Sequence, residues 1–222
     1  MSDSVELPEG LSRHRELADQ LLVRQLRFED FPEIIAVSAR VYPGSKPWLA
    51  EQLESHVRVF PEGQLVVIDR ATGVPVGLAS SLIVRWDDYD LGAEWREWTA
   101  AGYFTNHDPT IGRTLYGAEA MVDPRWQRRG VGHRLYSARR ELVRRLGLRR
   151  IRAAARMRGY HRFSDVLRPA DYAARVFSGE IHDPTLSFQL REGFRLLAVV
   201  SDYLRQDHES LGHAAIIEWL PD

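Results

Sequence analysis

Six consecutive residues, Gln127-Arg128-Arg129-Gly130-Val131-Gly132, have the composition of an anion site. The two glycines, two positions apart, remove side chains that would keep a ligand from the backbone. No Ser, Thr, Asp or Asn lies between Trp126 and Gly132 to accept the amide protons of a helix start. Arg128 and Arg129 stand where a helix dipole disfavours cations. An uncapped, arginine-flanked N-terminus suits a diphosphate, held on backbone N–H groups from Gln127 through His133. Taken alone, the spacing fits a softened loop with solvated arginines better.

The flanking elements favour the anion. Leu115 to Val122 is an apolar run of strand length that stops at Asp123-Pro124. Beyond the loop, Leu135, Ala138, Leu142 and Leu146 recur at helical spacing, with Arg139, Arg140, Arg144 and Arg145 on other faces. Gly147 is the expected stop.

The rest of the chain supplies a frame for this unit. Residues 1–20 are polar and read as an extension, with a short helix expected from Leu11 to Leu22. Leu21 to Phe28 reads as a strand, Phe31 to Tyr42 and Trp48 to Phe60 as helices, and Gln64–Asp69 and Val74–Trp86 as strands about the turn 70–73. Arg149 to Ala155 is a further strand and Asp183-Pro184 opens a late helix to Glu192. Arg195–Leu204 and Leu211–Leu220 form a closing antiparallel pair. Two insertions interrupt this order. Residues 87–114 carry a helix from Glu94 to Ala101 and the aromatics Trp95, Trp98, Tyr103 and Phe104, fit for a lid or acceptor wall, a core satellite or a dimer contact. Residues 156–182 carry a helix from Pro169 to Phe177. Residues 21–222 are expected to form one domain.

Composition narrows the function. The 222 residues are 44% hydrophobic and 27% charged with net charge −1, ordinary for a soluble globular protein, so no global field draws the chain to nucleic acid or membrane. There is no apolar run of membrane-spanning length and no basic-then-apolar leader, so a cytoplasmic enzyme is expected. Cysteine is absent, which excludes disulfides, thiolate metal sites and a cysteine nucleophile. His107-Asp108 and His182-Asp183, each followed by proline, read as turns before they read as ligands, and no metal is expected.

Val122-Asp123-Pro124, then Gln127-x-x-Gly130-x-Gly132 and an amphipathic helix, resembles the acyl-CoA-binding motif of the GCN5-related N-acetyltransferases (GNAT family), written Q/R-x-x-G-x-G/A. Phe188-Gln189-Leu190-Arg191-Glu192-Gly193-Phe194 is similar to that family's late FYxKxGF segment. The segments TNHDP, LYGAEAMVDP and SFQLREGF look like the acetyltransferase half of bifunctional bacterial proteins that also carry a carbon–nitrogen hydrolase domain. The resemblance covers residue 22 to the C-terminus. It implies an α/β (α+β) fold, with a central mixed, mostly antiparallel sheet flanked by helices.

The resemblance also implies chemistry: acyl transfer from acetyl-CoA, or another acyl-CoA, to an amine by direct attack. Amides of Met121, Val122 and Asp123 would serve the carbonyl and pantetheine, and Gln127, Arg128, Arg129, Gly130, Val131, Gly132 and His133 the diphosphate, with Arg134 adding charge. The amine must lose a proton. Glu119 is the only carboxylate between Leu115 and Val122, and a desolvated carboxylate there suits a general base. It also fits a pairing with arginine or a place in solvent, and His161 and His107 are alternatives. Gln189 stands where many members have the tyrosine that protonates the leaving thiolate, so Tyr160, Tyr116 or water must serve the sulfur. A non-catalytic acyl-CoA sensor, or a partner of a separate carbon–nitrogen hydrolase, is the alternative. The acceptor is a small-molecule or peptide amine, a homodimer is compatible, and no nucleic acid or membrane is expected.

Overall fold

Strand β4, Thr114–Val122, is the middle of a seven-stranded sheet with the order β1-β2-β3-β4-β5-β7-β6. The computed structural model describes residues 20–221. The others are β1 (Leu21–Gln25), β2 (Gln64–Asp69), β3 (Pro75–Val84), β5 (Arg150–Arg156), β6 (Arg195–Val200) and β7 (Ala214–Trp219). Only β4 and β5 run parallel; every other neighbouring pair is antiparallel. The mixed, mostly antiparallel sheet flanked by helices is as expected. The helix expected from Leu11 falls outside the described residues, apart from its last stretch, where Leu21 and Leu22 are already strand.

Helices cover both faces. On one lie α1 (Phe31–Val41) and α2 (Ala50–Val59), whose Phe31, Ile34, Val37 and Leu53 pack with Leu78, Leu82, Tyr116 and Met121. The insertion between β3 and β4 contributes the short helix α3 (Trp95–Trp98). On the other face lie α4 (Val131–Arg145), α5 (Pro169–Phe177) and α6 (Leu186–Arg191), over Val67, Ala79, Leu115, Ile151 and Ile217. β2 and β3 are buried along their whole length, as strands covered on both sides must be. α4 ends where its sequence says. Gly147 takes φ +62°, its N–H reaches the Arg144 carbonyl, and Leu148 N–H reaches that of Val143. Its inward face differs from the expected stripe, however. Arg139 and Tyr136 are buried with Val131, Leu135, Leu142 and Val143, whereas Leu146 is exposed.

The insertion that carries α3 packs into the core. The helix is short because Ala100 and Ala101 turn left-handed (φ +48° and +58°). Trp98 is fully buried and stacks on Tyr89 and Tyr116, with centroids 4.3 and 5.0 Å away. Phe104 stacks on His56 of α2 at 3.7 Å. The His56 Nε2 donates to the Gly102 carbonyl at 2.7 Å, tying the insertion to α2.

Burial pushes His56 down to about 4. Its neutral form is therefore the folded form, and the unfolded chain takes up the proton first as pH falls below the ordinary histidine value. Thermal stability should hold above about pH 6.5 and fall from there to about pH 4, by roughly 3 kcal/mol from this residue. Melting His56→Gln over the same range tests this: the acid-side slope should shrink. An unchanged slope would remove His56 as its source.

Candidate active site

The centre of the sheet opens at β4. β5 pairs only with Thr114, Leu115 and Tyr116, through Arg150, Ile151 and Arg152, and then diverges to follow β7 as far as Arg156. From Gly117 to Val122 that edge of β4 has no strand beside it among the described residues. On the β3 side a one-residue bulge intervenes, since Ser80 faces Glu119 and Ser81 faces Gly117, leaving Ala118 extra. The extra residue changes which side chains share a face. Tyr116 and Met121, five apart, both join the α1 core, and Glu119 turns to that face as well.

There Glu119 Oε1 accepts the Tyr42 hydroxyl proton at 2.6 Å and the Ala120 amide at 2.9 Å. Burial raises its carboxyl above the ordinary range, while the Tyr42 hydroxyl, the Ala120 amide and the guanidiniums of Arg139 and Arg156 pull the other way. Arg156 lies over the Tyr42 ring at 5.4 Å and donates to Asp207 at 2.7 Å. Trp95 Nε1 donates to the Ala118 carbonyl at the bulge, at 3.1 Å. Of the insertion's Tyr89, Trp95, Trp98, Tyr103 and Phe104, Trp95 alone makes this contact. Behind the bulge, buried Arg139 donates to Ser81 Oγ (3.0 Å), the Ser80 carbonyl (2.8 Å) and the Glu119 carbonyl. A side chain at Gly117 would crowd this guanidinium, with its Cβ 3.3 Å from Nη1.

Tyr42 is a site residue that the sequence reading passed over. If Glu119 is the base, Tyr42→Phe removes a donor that stabilises its ionised form. The acid limb of the pH–rate profile should then move to higher pH, with maximal turnover falling by less than about tenfold, one hydrogen bond's worth. A limb that stays put or moves down would separate Tyr42 from the titrating group.

Downstream, the Asp123 carboxylate builds the turn into the loop. It is fully buried, accepts Arg125 N–H at 2.9 Å and Arg40 Nη2 at 2.8 Å, and is held down to about 2, chiefly by Arg125. The Asp123 amide donates to the Val76 carbonyl at 2.9 Å. Because amides alternate sides along a strand, Met121 N–H also faces β3, and Val122 N–H faces the open edge. The expectation that all three amides face a cofactor is corrected: Asp123 and Met121 belong to the scaffold.

Helix α4 starts at Gly130, in the left-handed region at φ +80°, with no side-chain cap. Its first internal bond runs from Arg134 N–H to the Gly130 carbonyl, so the amides of Val131, Gly132 and His133 have no partner within the helix. Arg128 is also left-handed at φ +60°. The two glycines do different work. A Cβ on Gly130 would meet nothing within 4 Å, whereas one on Gly132 would lie 3.0 Å from Phe188 Cζ. Gly132 thus lets α6 approach α4. Gln127, Arg128 and Arg129 reach the surface, with Arg129 over Trp126 at 5.0 Å. The His133 imidazole turns away, to Glu192 at 3.0 Å.

The other candidates fall elsewhere. The Tyr160 hydroxyl donates to the Leu167 carbonyl, and that of Tyr116 meets Tyr203 on the α1 side of the core. His107 Nδ1 accepts Ile83 N–H at 3.0 Å and its ring stacks on Phe60. His161 Nδ1 lies 3.1 Å from the Glu209 carbonyl. Asp183 is a cap, accepting amides of Gly159, Thr185 and Leu186 and the Tyr172 hydroxyl. Gln189 Nε2 donates to the Tyr136 hydroxyl at 3.0 Å. A tyrosine from α4 therefore stands beside the position where the sequence lacks one.

The family model of the acetyltransferase (GNAT) family matches residues 22–163. Two proteins of Bacillus subtilis (strain 168) are similar. The probable hydrolase YhcX is 38% identical over 200 residues, which are 90% of this chain and 38% of YhcX. The uncharacterized N-acetyltransferase YkwB is 31% identical over 205 residues, 90% of this chain and 89% of YkwB. This chain therefore spans well under half the length of YhcX. The solved structure of the GphF GNAT-like decarboxylase in complex with isobutyryl-CoA has a TM-score of 0.73 at 24% identity, covering 90% of this chain and 98% of that one, a likeness of fold.

Proposed function

Because the chain belongs to the acetyltransferase (GNAT) family, whose members use acyl-CoA, we propose that it moves an acyl group, acetyl in the first instance, from CoA to an amine. The observation that carries this reading is the pairing, across one open strand edge, of a raised carboxyl with amides that have no partner among the described residues. Glu119 lies on the α1 side of β4, Val122 N–H faces the gap left by β5, and the uncapped start of α4 follows eight residues later.

In this reading the diphosphate rests on the amides of Val131, Gly132 and His133, with Gln127 to Gly130 around it and Arg128 and Arg129 supplying charge. Val122 N–H donates to the thioester carbonyl oxygen as it gains charge. Glu119 takes the proton of the incoming amine, whose nitrogen bonds to the carbonyl carbon as the C–S bond breaks. The thiolate leaves and is protonated by water or by the Tyr136 hydroxyl beside Gln189. The chain has no cysteine to carry the acyl group, so transfer is direct. The acceptor is a small-molecule or peptide amine.

Calorimetric titration with acetyl-CoA, followed by an amine panel read by thiol release, tests the proposal. Binding with release on one amine class supports it. Absence of acetyl-CoA binding would reduce the Gln127–Gly132 loop to a structural turn. Binding without release on any amine would favour a sensor, or a partner of a separate carbon–nitrogen hydrolase, a reading supported by Gln189 and by the longer, probable hydrolase YhcX.

A further inference from the structure

Arg139, in the third turn of α4, is a charge that the acyl-transfer reading does not use. Only 2% of the residue is exposed. Its hydrogen bonds all go to neutral acceptors: Ser81 Oγ at 3.0 Å, the Ser80 carbonyl at 2.8 Å and the Glu119 carbonyl. No carboxylate pairs with it among the described residues. Taking a guanidinium out of water is costly, and neutral acceptors recover only part of that cost. Burial accordingly pulls its ionisation below the ordinary arginine value, while Tyr136 and the Glu119 carboxylate pull it back. Arg156, the other cation beside Glu119, is different: Asp207 and Glu209 match its charge at 2.7 and 2.9 Å.

The same guanidinium holds the bulge. Its Nη2 takes one carbonyl from β3 and one from β4, across the point where their register shifts. The bulge turns Glu119 to the α1 face, so the cation stands behind the carboxylate that it helps to place. We propose that Arg139 is a positioning residue for the base: it pins the bulge from the α4 side and supplies, through the sheet, the counter-charge of the Glu119 carboxylate. The inference rests on Glu119 as base and adds what keeps a buried carboxyl able to take a proton. The other titratable or charged groups facing Glu119 are Tyr42 after α1, Tyr136 on α4, Arg156 on β5 and Tyr203 between β6 and β7. The tyrosines stay neutral, because burial raises all three hydroxyls, and Arg156 is already matched. Arg139 is the cation whose charge only Glu119 answers among the described residues.

The test is a pH titration of the Glu119 carboxyl by carbon-13 NMR in glutamate-labelled protein, the signal being identified by its loss in Glu119→Gln. Turnover is measured over the same pH range. Arg139→Gln and Arg139→Met remove the charge, and Arg139→Lys keeps it while losing the planar fork. The carboxyl midpoint should rise by about one pH unit in both neutral variants and stay close to the unaltered value in Arg139→Lys. Below the acid limb the neutral variants should turn over about tenfold more slowly, recovering at high pH, with the KM for acetyl-CoA little changed. Either neutral variant suffices if the other does not melt cooperatively. A purely structural role would move the midpoint in Arg139→Lys as far as in Arg139→Gln. That pattern, or an unmoved midpoint in the neutral variants, would overturn the inference and leave the acyl-transfer reading intact. A moved midpoint without a moved acid limb would instead remove Glu119 as base, and Arg139's role in the reaction with it. So would the absence of turnover of any amine by the unaltered protein.

Discussion

Gly130→Trp is expected to weaken acetyl-CoA binding by at least about 100-fold, or roughly 2.7 kcal/mol, while unfolding stays cooperative. The reason is local. Gly130 holds φ +80°, and a side chain there projects into open space at the first turn of α4, whose leading amides have no partner within the helix. An L-residue in that conformation costs roughly 1–2 kcal/mol of stability, which a thermal melt should register separately from the loss of affinity. Gly130→Asn is the control, since asparagine tolerates the left-handed region and leaves most of the space unfilled. Its affinity should stay within a few-fold of the unaltered protein. Gly132→Trp is a poorer probe than the motif suggests. Its side chain would drive into Phe188, 3.0 Å from the Cβ position, and would push α6 off α4. Unchanged acetyl-CoA affinity in Gly130→Trp would end the assignment of this loop to the diphosphate.

Glu119→Gln is expected to lower turnover by about 10²–10⁴-fold with acetyl-CoA affinity nearly unchanged. The amide is close in shape and can still accept the Tyr42 hydroxyl proton, so the bulge and its contacts with α1 should survive. What is lost is the capacity to take a proton. Burial raises the Glu119 carboxyl, and a base works only when ionised. The unaltered enzyme should therefore gain activity as pH rises through a limb lying above the ordinary carboxylate range, and Glu119→Gln should lack that limb. Rates measured across pH at saturating acetyl-CoA, with an amine found by the panel, decide the point. A variant with full activity and the same limb would take Glu119 out of the mechanism.

Much of the local structure was legible in the chain because its signals are short-range. The stop of α4 at Gly147, the first-turn proline of α1 and the apolar runs of β2 and β3 each depend on a few neighbouring residues, and they appear where expected. Element ends were less legible. The helix expected to reach Ala101 ends at Trp98, because the chain turns left-handed at two alanines, which carry no such signal. The strands expected to reach Leu204 and to start at Leu211 stop at Val200 and start at Ala214, since the loop between them folds back through the Arg156–Asp207 pair.

The order of residues was enough to fix the class of the protein and the position of its glycine loop, because Gln127 to Gly132 and its two flanking elements act through backbone conformation within some thirty residues. Which groups meet there was settled by the packing of distant segments. The extra residue at Ala118 turns Glu119 to the α1 face, where Tyr42, 77 positions away, reaches its carboxylate. The early end of the β4–β5 ladder leaves Val122 N–H facing a gap, while the Val76 carbonyl takes the neighbouring Asp123 amide. Phe188 of α6 gives Gly132 a packing role that the motif reads as ligand space. Arg139, which looks like one more solvated arginine, lies buried because bulged carbonyls need a donor and the helix phase supplies one. Each of these outcomes depends on register and helix phase between distant segments, which local propensity does not encode.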